Sequence, residues 1–194
     1  MAEESVMVPL GTSAPDFALP NVVDGKIVSL KDFNNKDALL VMFVCNHCPY
    51  VIRVRDIFKD LTDEYMKKNV GVVAINSNSL ETHPQDGPED MKQLAEEMDW
   101  QFPFLFDETQ EVAKAYKAAC TPDFYVYNKD QKLVYRGRLD GARPGNDLPV
   151  TGKELRQALD RVLSGEPPIP EDEQLPSMGC SIKWTPGMEP PYFG

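Results

Sequence analysis

The sequence predicts an α/β fold: a mixed central sheet flanked by helices, with an N-terminal β extension and a proline-rich C-terminal tail. Three observations carry this. Two continuous apolar runs, 38–44 and 70–75, read as strands buried on both faces. Segments with apolar residues at helical spacing alternate with the strand-like ones. Two strand-like runs near the end, 123–127 and 132–136, are joined by Asn128-Lys129-Asp130-Gln131, a hairpin-length loop.

Taken in order, residues 1 to about 14 read as a loose arm. Residues 16–19 alternate weakly and 26–30 form a second short run. Asp24-Gly25 between them is a turn signal, so the two read as a hairpin. After the 38–44 strand, a helix is expected from about 47 to 67. Val51, Val54, Ile57, Phe58, Leu61 and Tyr65 give it one buried face, and Pro49 is tolerated in its first turn. The 70–75 strand leads into a Ser/Asn/Pro/Gly-rich loop, 76–88. A helix over 89–99 follows, with Met91, Leu94, Ala95 and Met98 inward. Residues 102–106 read as a short strand and 108–119 as a helix. The hairpin comes next, then a last helix over 151–163 with Thr151 as its N-cap. Seven prolines after residue 163 forbid regular structure over most of the tail. Met178, Ile182, Trp184, Tyr192 and Phe193 are too apolar for a solvated segment, so part of the tail is expected to pack across a domain formed by 1–163.

The chain has 194 residues, 42% hydrophobic and 26% charged, enough for one domain with a sizeable core. Its formal net charge of −11 argues against a nucleic-acid or anionic-membrane partner, since both need a basic footprint. No apolar stretch is long enough to span a bilayer. The polar, acidic N-terminus lacks the basic and apolar regions of a secretory signal. A reducing cytoplasm is therefore expected, where four cysteines serve as thiols rather than as a disulfide framework.

The chemistry is carried by Cys45-Asn46-His47-Cys48, at the junction of the 38–44 strand and the following helix. Orphan N–H groups and positive potential at a helix N-terminus favour a thiolate. A thiolate is the species that attacks disulfides and peroxides. The two-residue spacing lets the second thiol resolve a mixed disulfide formed by the first. His47 inside the pair is expected to lower a neighbouring thiol's pKa further. A CxxC pair also serves in zinc knuckles or as inert cysteines. A zinc site would want a second pair nearby, whereas the chain has isolated Cys120, Cys180 and His83. No metal or other cofactor is expected. Cys120 reads either as a redox partner or as a small buried hydrophobe. Cys180, in the tail, reads as a third redox cysteine or an idle one. His83 reads as solvated and Trp184 as a packing anchor.

Gly11-Thr12-Ser13-Ala14-Pro15-Asp16-Phe17-Ala18-Leu19 resembles the opening of the alkyl hydroperoxide reductase/thiol-specific antioxidant superfamily. Cys45-Asn46-His47-Cys48-Pro49-Tyr50-Val51, Cys120-Thr121-Pro122-Asp123-Phe124 and Gly179-Cys180-Ser181-Ile182-Lys183-Trp184 together are similar to a peroxiredoxin-like subgroup of thioredoxin-family proteins. The resemblance covers roughly residues 10–163 and implies a thioredoxin-like fold. It implies that Cys45 is the attacking cysteine of a dithiol and Cys48 the resolving one, Cys48 also matching a peroxiredoxin's peroxidatic position. It further implies a cis bond at Thr121-Pro122, facing the dithiol and holding an incoming chain by a backbone contact. Substrates would be protein or small-molecule disulfides, or hydroperoxides, with a cellular thiol as reductant.

The chain also departs from the pattern. The Pro and Thr that precede a peroxidatic cysteine by seven and three residues are here Val41 and Cys45. No arginine precedes the later strand near Thr121, although Arg136, Arg138 and Arg143 follow it. A thioredoxin's Trp before the first cysteine is Val44. Without hydroxyl and cation, charge developing on a cleaving peroxide loses preorganised stabilisation. The leading expectation is a thiol–disulfide oxidoreductase. A thiol peroxidase with Cys48 peroxidatic, and a redox-inert binding module, are the alternatives.

Overall fold

A computed structural model describes residues 2–193. Its centre is a five-stranded sheet of β4 (Ala38–Phe43), β5 (Val70–Asn76), β6 (Phe104–Phe106), β8 (Asp123–Asn128) and β9 (Leu133–Gly137), in the order β6-β5-β4-β8-β9. β4, β5 and β6 run parallel, and β8 is antiparallel to both β4 and β9, so the sheet is mixed. Every residue of β4 and β5 is buried. The reason is the alternation of side chains along a strand. Leu40 and Met42 enter a core with α1 (Pro49–Val54), α2 (Phe58–Met66), α3 (Pro88–Glu97) and α5 (Lys153–Ser164). Leu39, Val41 and Phe43 enter a second core on the opposite face, with α4 (Glu111–Tyr116) and the tail residues Ile182 and Trp184.

β2 (Ala18–Pro20) and β3 (Ile27–Ser29) form the expected antiparallel hairpin. The expected arm and tail are more ordered than their composition suggests. β1 (Ala2–Glu4) and β10 (Met178–Ser181) pair with each other, and β10 pairs on its other side with β7 (Cys120–Thr121). The four residues of β10 lie between Pro176 and Pro186, where every residue has an N–H to give the ladder.

The helices differ from their expected extents for identifiable reasons. The 47–67 helix is two helices separated by a 3₁₀ turn over Arg55–Ile57. Val51, Ile52 and Val54 make the first half a poor helix former, and the break comes at its end. The 108–119 helix is trimmed to α4 because Gln110 and Lys117 take left-handed conformations at its two ends. Its N-terminal donors are satisfied by Asp107, which accepts from the backbone N–H of Ala113 at 2.9 Å. Thr151 is not the N-cap of α5. Gly152 occupies that place with φ 68°, and the Asp140 carboxylate accepts from the N–H groups of Thr151 and Gly152, each at 2.6 Å.

Candidate active site

β4 pairs with β8 so that Phe43 lies opposite Asp123. The chain leaving β4 therefore meets the chain entering β8, and Cys45-Asn46-His47-Cys48 comes to face Cys120-Thr121-Pro122, separated from it by more than 70 residues. The Thr121-Pro122 bond is cis. Cys45 Sγ lies 3.4 Å from the Thr121 hydroxyl, and Cys48 Sγ lies 3.2 Å from the Thr121 carbonyl oxygen. Both sulfurs are buried, at 1% and 0% exposure. All four cysteines are free thiols.

The sequence expectation gave the favoured thiolate to Cys45; the helix terminus itself lies at Cys48. Cys48 is the N-cap residue of α1, with Pro49 in the first helical position, whereas Cys45 lies three residues upstream of the N-cap. The Cys48 thiol is pulled down to about 5. The largest cause is hydrogen bonding from the Cys45 thiol; the Cys180 thiol, the Val51 backbone N–H and the Thr121 hydroxyl add to it, while burial opposes. The Thr121 carbonyl, an acceptor 3.2 Å from the sulfur, favours the protonated thiol and opposes this shift. Cys45 is pushed far up. It keeps the proton that it shares with Cys48, and burial and the nearby Asp86 charge add to the rise.

His47 is paired with a carboxylate. Its Nδ1 lies 2.6 Å from Asp86 Oδ2, and the charge that reaches Cys45 is that of Asp86. Asp86 is fully buried. It accepts from the Asn46 N–H at 3.0 Å and from Asn78 Nδ2 at 2.8 Å, which ties the 76–88 loop to the dithiol loop. Asp86 was not legible in the sequence: it sits in a Pro/Gly/Asp-rich loop about forty residues from its partners, without local periodicity. His83 is not merely solvated. Its ring stacks on His47 with centroids 4.9 Å apart, and burial, then His47, lowers its pKa. Donor atoms of Cys45, His47 and Asp86 lie within 4.8 Å of one another, the one such group among the described residues able to hold a metal ion. A zinc ion would accept this S, N, O set with a position to spare, provided Cys45 gives up its proton.

The other cysteines separate. Cys120 is buried, with its sulfur 3.9 Å from the carbonyls of Pro122 and Ser177, and burial holds its thiol pKa well up. Cys180 pairs with Thr121 across the β10–β7 ladder and packs, half-buried, against the cluster that contains Cys45 and Cys48. Of the three arginines that follow β8, Arg136 and Arg138 are held by carboxylates and, among the described residues, Arg143 is not. Arg136 binds Gln174 and Glu171, Arg138 binds Glu154, and Arg143 Nη1 lies 3.5 Å from Met178 Sδ. A cleft of about 390 Å³ opens beside Pro122, lined by Tyr50, Arg143, Ser177 and Met178. A second cavity of about 430 Å³, between α5 and the β8–β9 turn, has no thiol in its lining.

The sequence pattern of the AhpC/TSA family matches residues 10–136. Peroxiredoxin-2 of Bos taurus is 28% identical over 93% of this chain and 87% of its own length. The thiol-disulfide oxidoreductase ResA of Geobacillus thermodenitrificans is 25% identical over 67% of this chain and 70% of its own. Among solved structures, an uncharacterised conserved protein of Geobacillus kaustophilus is 56% identical and superposes with a TM-score of 0.93, covering 96% of this chain and 98% of that one. The fold is thioredoxin-like and the chain is an oxidoreductase with a thiol redox role. A mixed sheet with a buried dithiol at the end of its central strand, together with a match that takes in both the dithiol and the cis proline, establishes that the chain belongs to the AhpC/TSA family.

Proposed function

We propose that the protein is a thiol–disulfide oxidoreductase in which Cys48 is the attacking thiolate and Cys45 the resolving thiol. The observation that carries this reading is the pair of buried sulfurs facing the cis proline, each within 3.4 Å of a Thr121 oxygen. Cys48 attacks one sulfur of a disulfide, a Cys48–substrate bond forms, and the other sulfur leaves as a thiolate. Cys45 then gives up its proton and attacks Cys48, releasing the second substrate thiolate and leaving a Cys45–Cys48 disulfide. His47, held by Asp86 near Cys45, is the group placed to receive that proton. A cellular thiol restores the dithiol, in a reducing, cytoplasmic setting. Thr121 and Pro122 form the wall against which both sulfurs are held.

Insulin-disulfide reduction by the wild type, Cys48→Ser and Cys45→Ser tests the reading. Loss of turnover is expected in Cys48→Ser, and a mixed disulfide trapped at Cys48 is expected when Cys45→Ser is combined with Cys180→Ser. Equal rates in all three would end it.

A thiol peroxidase is the second reading, supported by the same activated Cys48 and by the likeness to peroxiredoxin-2. The engagement of Arg136 and Arg138 with carboxylates weighs against it, because neither is left to stabilise a cleaving O–O bond. Hydroperoxide consumption with a sulfenic acid at Cys48 would favour it. The activated thiol weighs against a redox-inert binding module.

A further inference from the structure

Cys45 and Cys48 are buried, and the more exposed cysteine beside them belongs to the tail. Its position is built rather than incidental. In the β10–β7 ladder, Cys180 lies opposite Thr121, the residue whose carbonyl touches Cys48. Gly179 makes this approach possible, because a Cβ there would collide with the Thr121 carbonyl oxygen. The strand is pinned at both ends. Ser177 donates its hydroxyl to the Pro122 carbonyl and its N–H to Ser5 Oγ at 2.9 Å, and the Ile182 N–H donates to the Ala119 carbonyl at 2.9 Å. Ile182 and Trp184 are then buried in the core. β1 closes the other edge, with Ala2 opposite Cys180. Three thiols therefore share one site, Cys45 and Cys48 buried in one cluster and Cys180 packed half-buried against it.

We propose that Cys180 is the port through which an external thiol re-reduces the oxidised dithiol, by way of a Cys48–Cys180 disulfide. This rests on the reading of Cys48 as the redox-active thiolate. In the oxidised protein, a Cys180 thiolate attacks the Cys48 sulfur of the Cys45–Cys48 disulfide. A Cys48–Cys180 bond forms, the Cys45–Cys48 bond breaks, and Cys45 leaves as a thiolate that is then protonated. An external thiolate next attacks the accessible Cys180 sulfur, and the electron pair of the broken bond departs on Cys48. A second external thiol attacks the resulting mixed disulfide, expels Cys180 as a thiolate that is then protonated, and leaves as the external disulfide. Two external thiols are consumed, one disulfide is released, and two electrons reach the protein.

The step with the external thiol has the order of reactivity that exchange favours. Exchange is fastest when the attacked sulfur is accessible and the leaving thiol has a low pKa, and Cys180 and Cys48 hold these two properties. In the reduced protein the Cys180 thiol is held up at about 11, first by burial and then by its hydrogen bond to Cys48 and by the Cys48 charge. Oxidation of Cys48 removes the last two causes. Cys180 is thus quiet while the dithiol is reduced and more readily ionised once it is oxidised, aided by Lys183.

The test uses the full chain with reduced glutathione as the external thiol and acid-quenched peptide mapping as the readout. Oxidised Cys45→Ser is expected to hold a Cys48–Cys180 disulfide, and brief exposure to glutathione is expected to leave the adduct on Cys180. Oxidised Cys180→Ser is expected to form the Cys45–Cys48 disulfide normally but to be re-reduced roughly 10-fold more slowly than the wild type. Absence of the Cys48–Cys180 link, an adduct on Cys48, or wild-type re-reduction of Cys180→Ser would each overturn the port. These outcomes leave the parent reading standing if the wild type still forms Cys45–Cys48. A wild type with neither disulfide at any redox poise overturns both. Cys180→Ala repeats the rate measurement should Cys180→Ser melt below the wild type.

Discussion

The Cys48 sulfur and the Thr121 carbonyl oxygen lie 3.2 Å apart, although 73 residues separate them in the chain. The contact exists because β4 and β8 are neighbours in the sheet, so that the loop leaving one is pressed against the loop entering the other. Thr121 thereby touches both members of the dithiol, one through its hydroxyl and one through its carbonyl. The same residue is the ladder partner of Cys180.

Alkylation of Cys48 by iodoacetamide is expected to follow a titration with a midpoint near 5 and to fall away below it. Cys45→Ala removes the largest donor to that thiolate. A hydrogen bond to a charged group contributes about 1.5–3 kcal/mol, so the midpoint should rise by roughly 1–2 pH units. An unmoved midpoint would show that the Cys45 thiol does not donate to Cys48.

Asp123 is fully buried, and burial raises its carboxyl from 3.8 to about 7, against hydrogen bonds from Ser5, Tyr125 and the Phe124 N–H. Between these values the unfolded chain has lost the proton and the folded chain has kept it. This group's contribution to stability therefore falls as pH rises from about 4 to about 7 and is flat above. Asp123→Asn should remove that slope from urea midpoints measured across the interval. An unchanged slope would place the titration elsewhere.

Asp140→Ala is expected to destabilise the fold by about 0.5–2 kcal/mol, since it strips the acceptor from two N–H groups at the start of α5. Thr151→Ala should cost less, because its hydroxyl accepts from Lys153 at only 3.3 Å. Chemical denaturation of the two variants decides the order.

Asp86→Asn keeps the size of the side chain but removes the charge that raises Cys45 and the partner that holds His47. Decay of a mixed disulfide preformed on Cys48 is expected to slow by about 10²-fold if the His47–Asp86 pair receives the Cys45 proton. His47→Ala should slow it comparably. Rapid decay in both variants would leave solvent as the proton acceptor.

The sheet was legible wherever burial imposed a pattern. The runs 38–44 and 70–75 are apolar because both faces of β4 and β5 meet side chains, and that requirement is written residue by residue. The dithiol was equally plain, since two cysteines, a histidine and a proline at a strand–helix junction are a local pattern. What remained hidden depends on neighbours distant in the chain. The extents of α4 and α5 were set by left-handed residues and by carboxylates reaching from outside the helices, Asp107 and Asp140. Asp86 carried no signal at all.

Sequence by itself determined the α/β class, the strand that bears the dithiol and the residues Cys45, Cys48, Thr121 and Pro122, because these follow from periodicity and short motifs. Tertiary structure alone decided which cysteine stands at the helix terminus, which charge faces Cys45, and that a proline-rich tail brings Cys180 to the same site. A thiol's pKa is fixed by the donors and charges within a few ångströms, and here those donors come from Cys45, Val51, Thr121 and Cys180. No local pattern places four such groups, from three separate stretches of chain, around one sulfur atom.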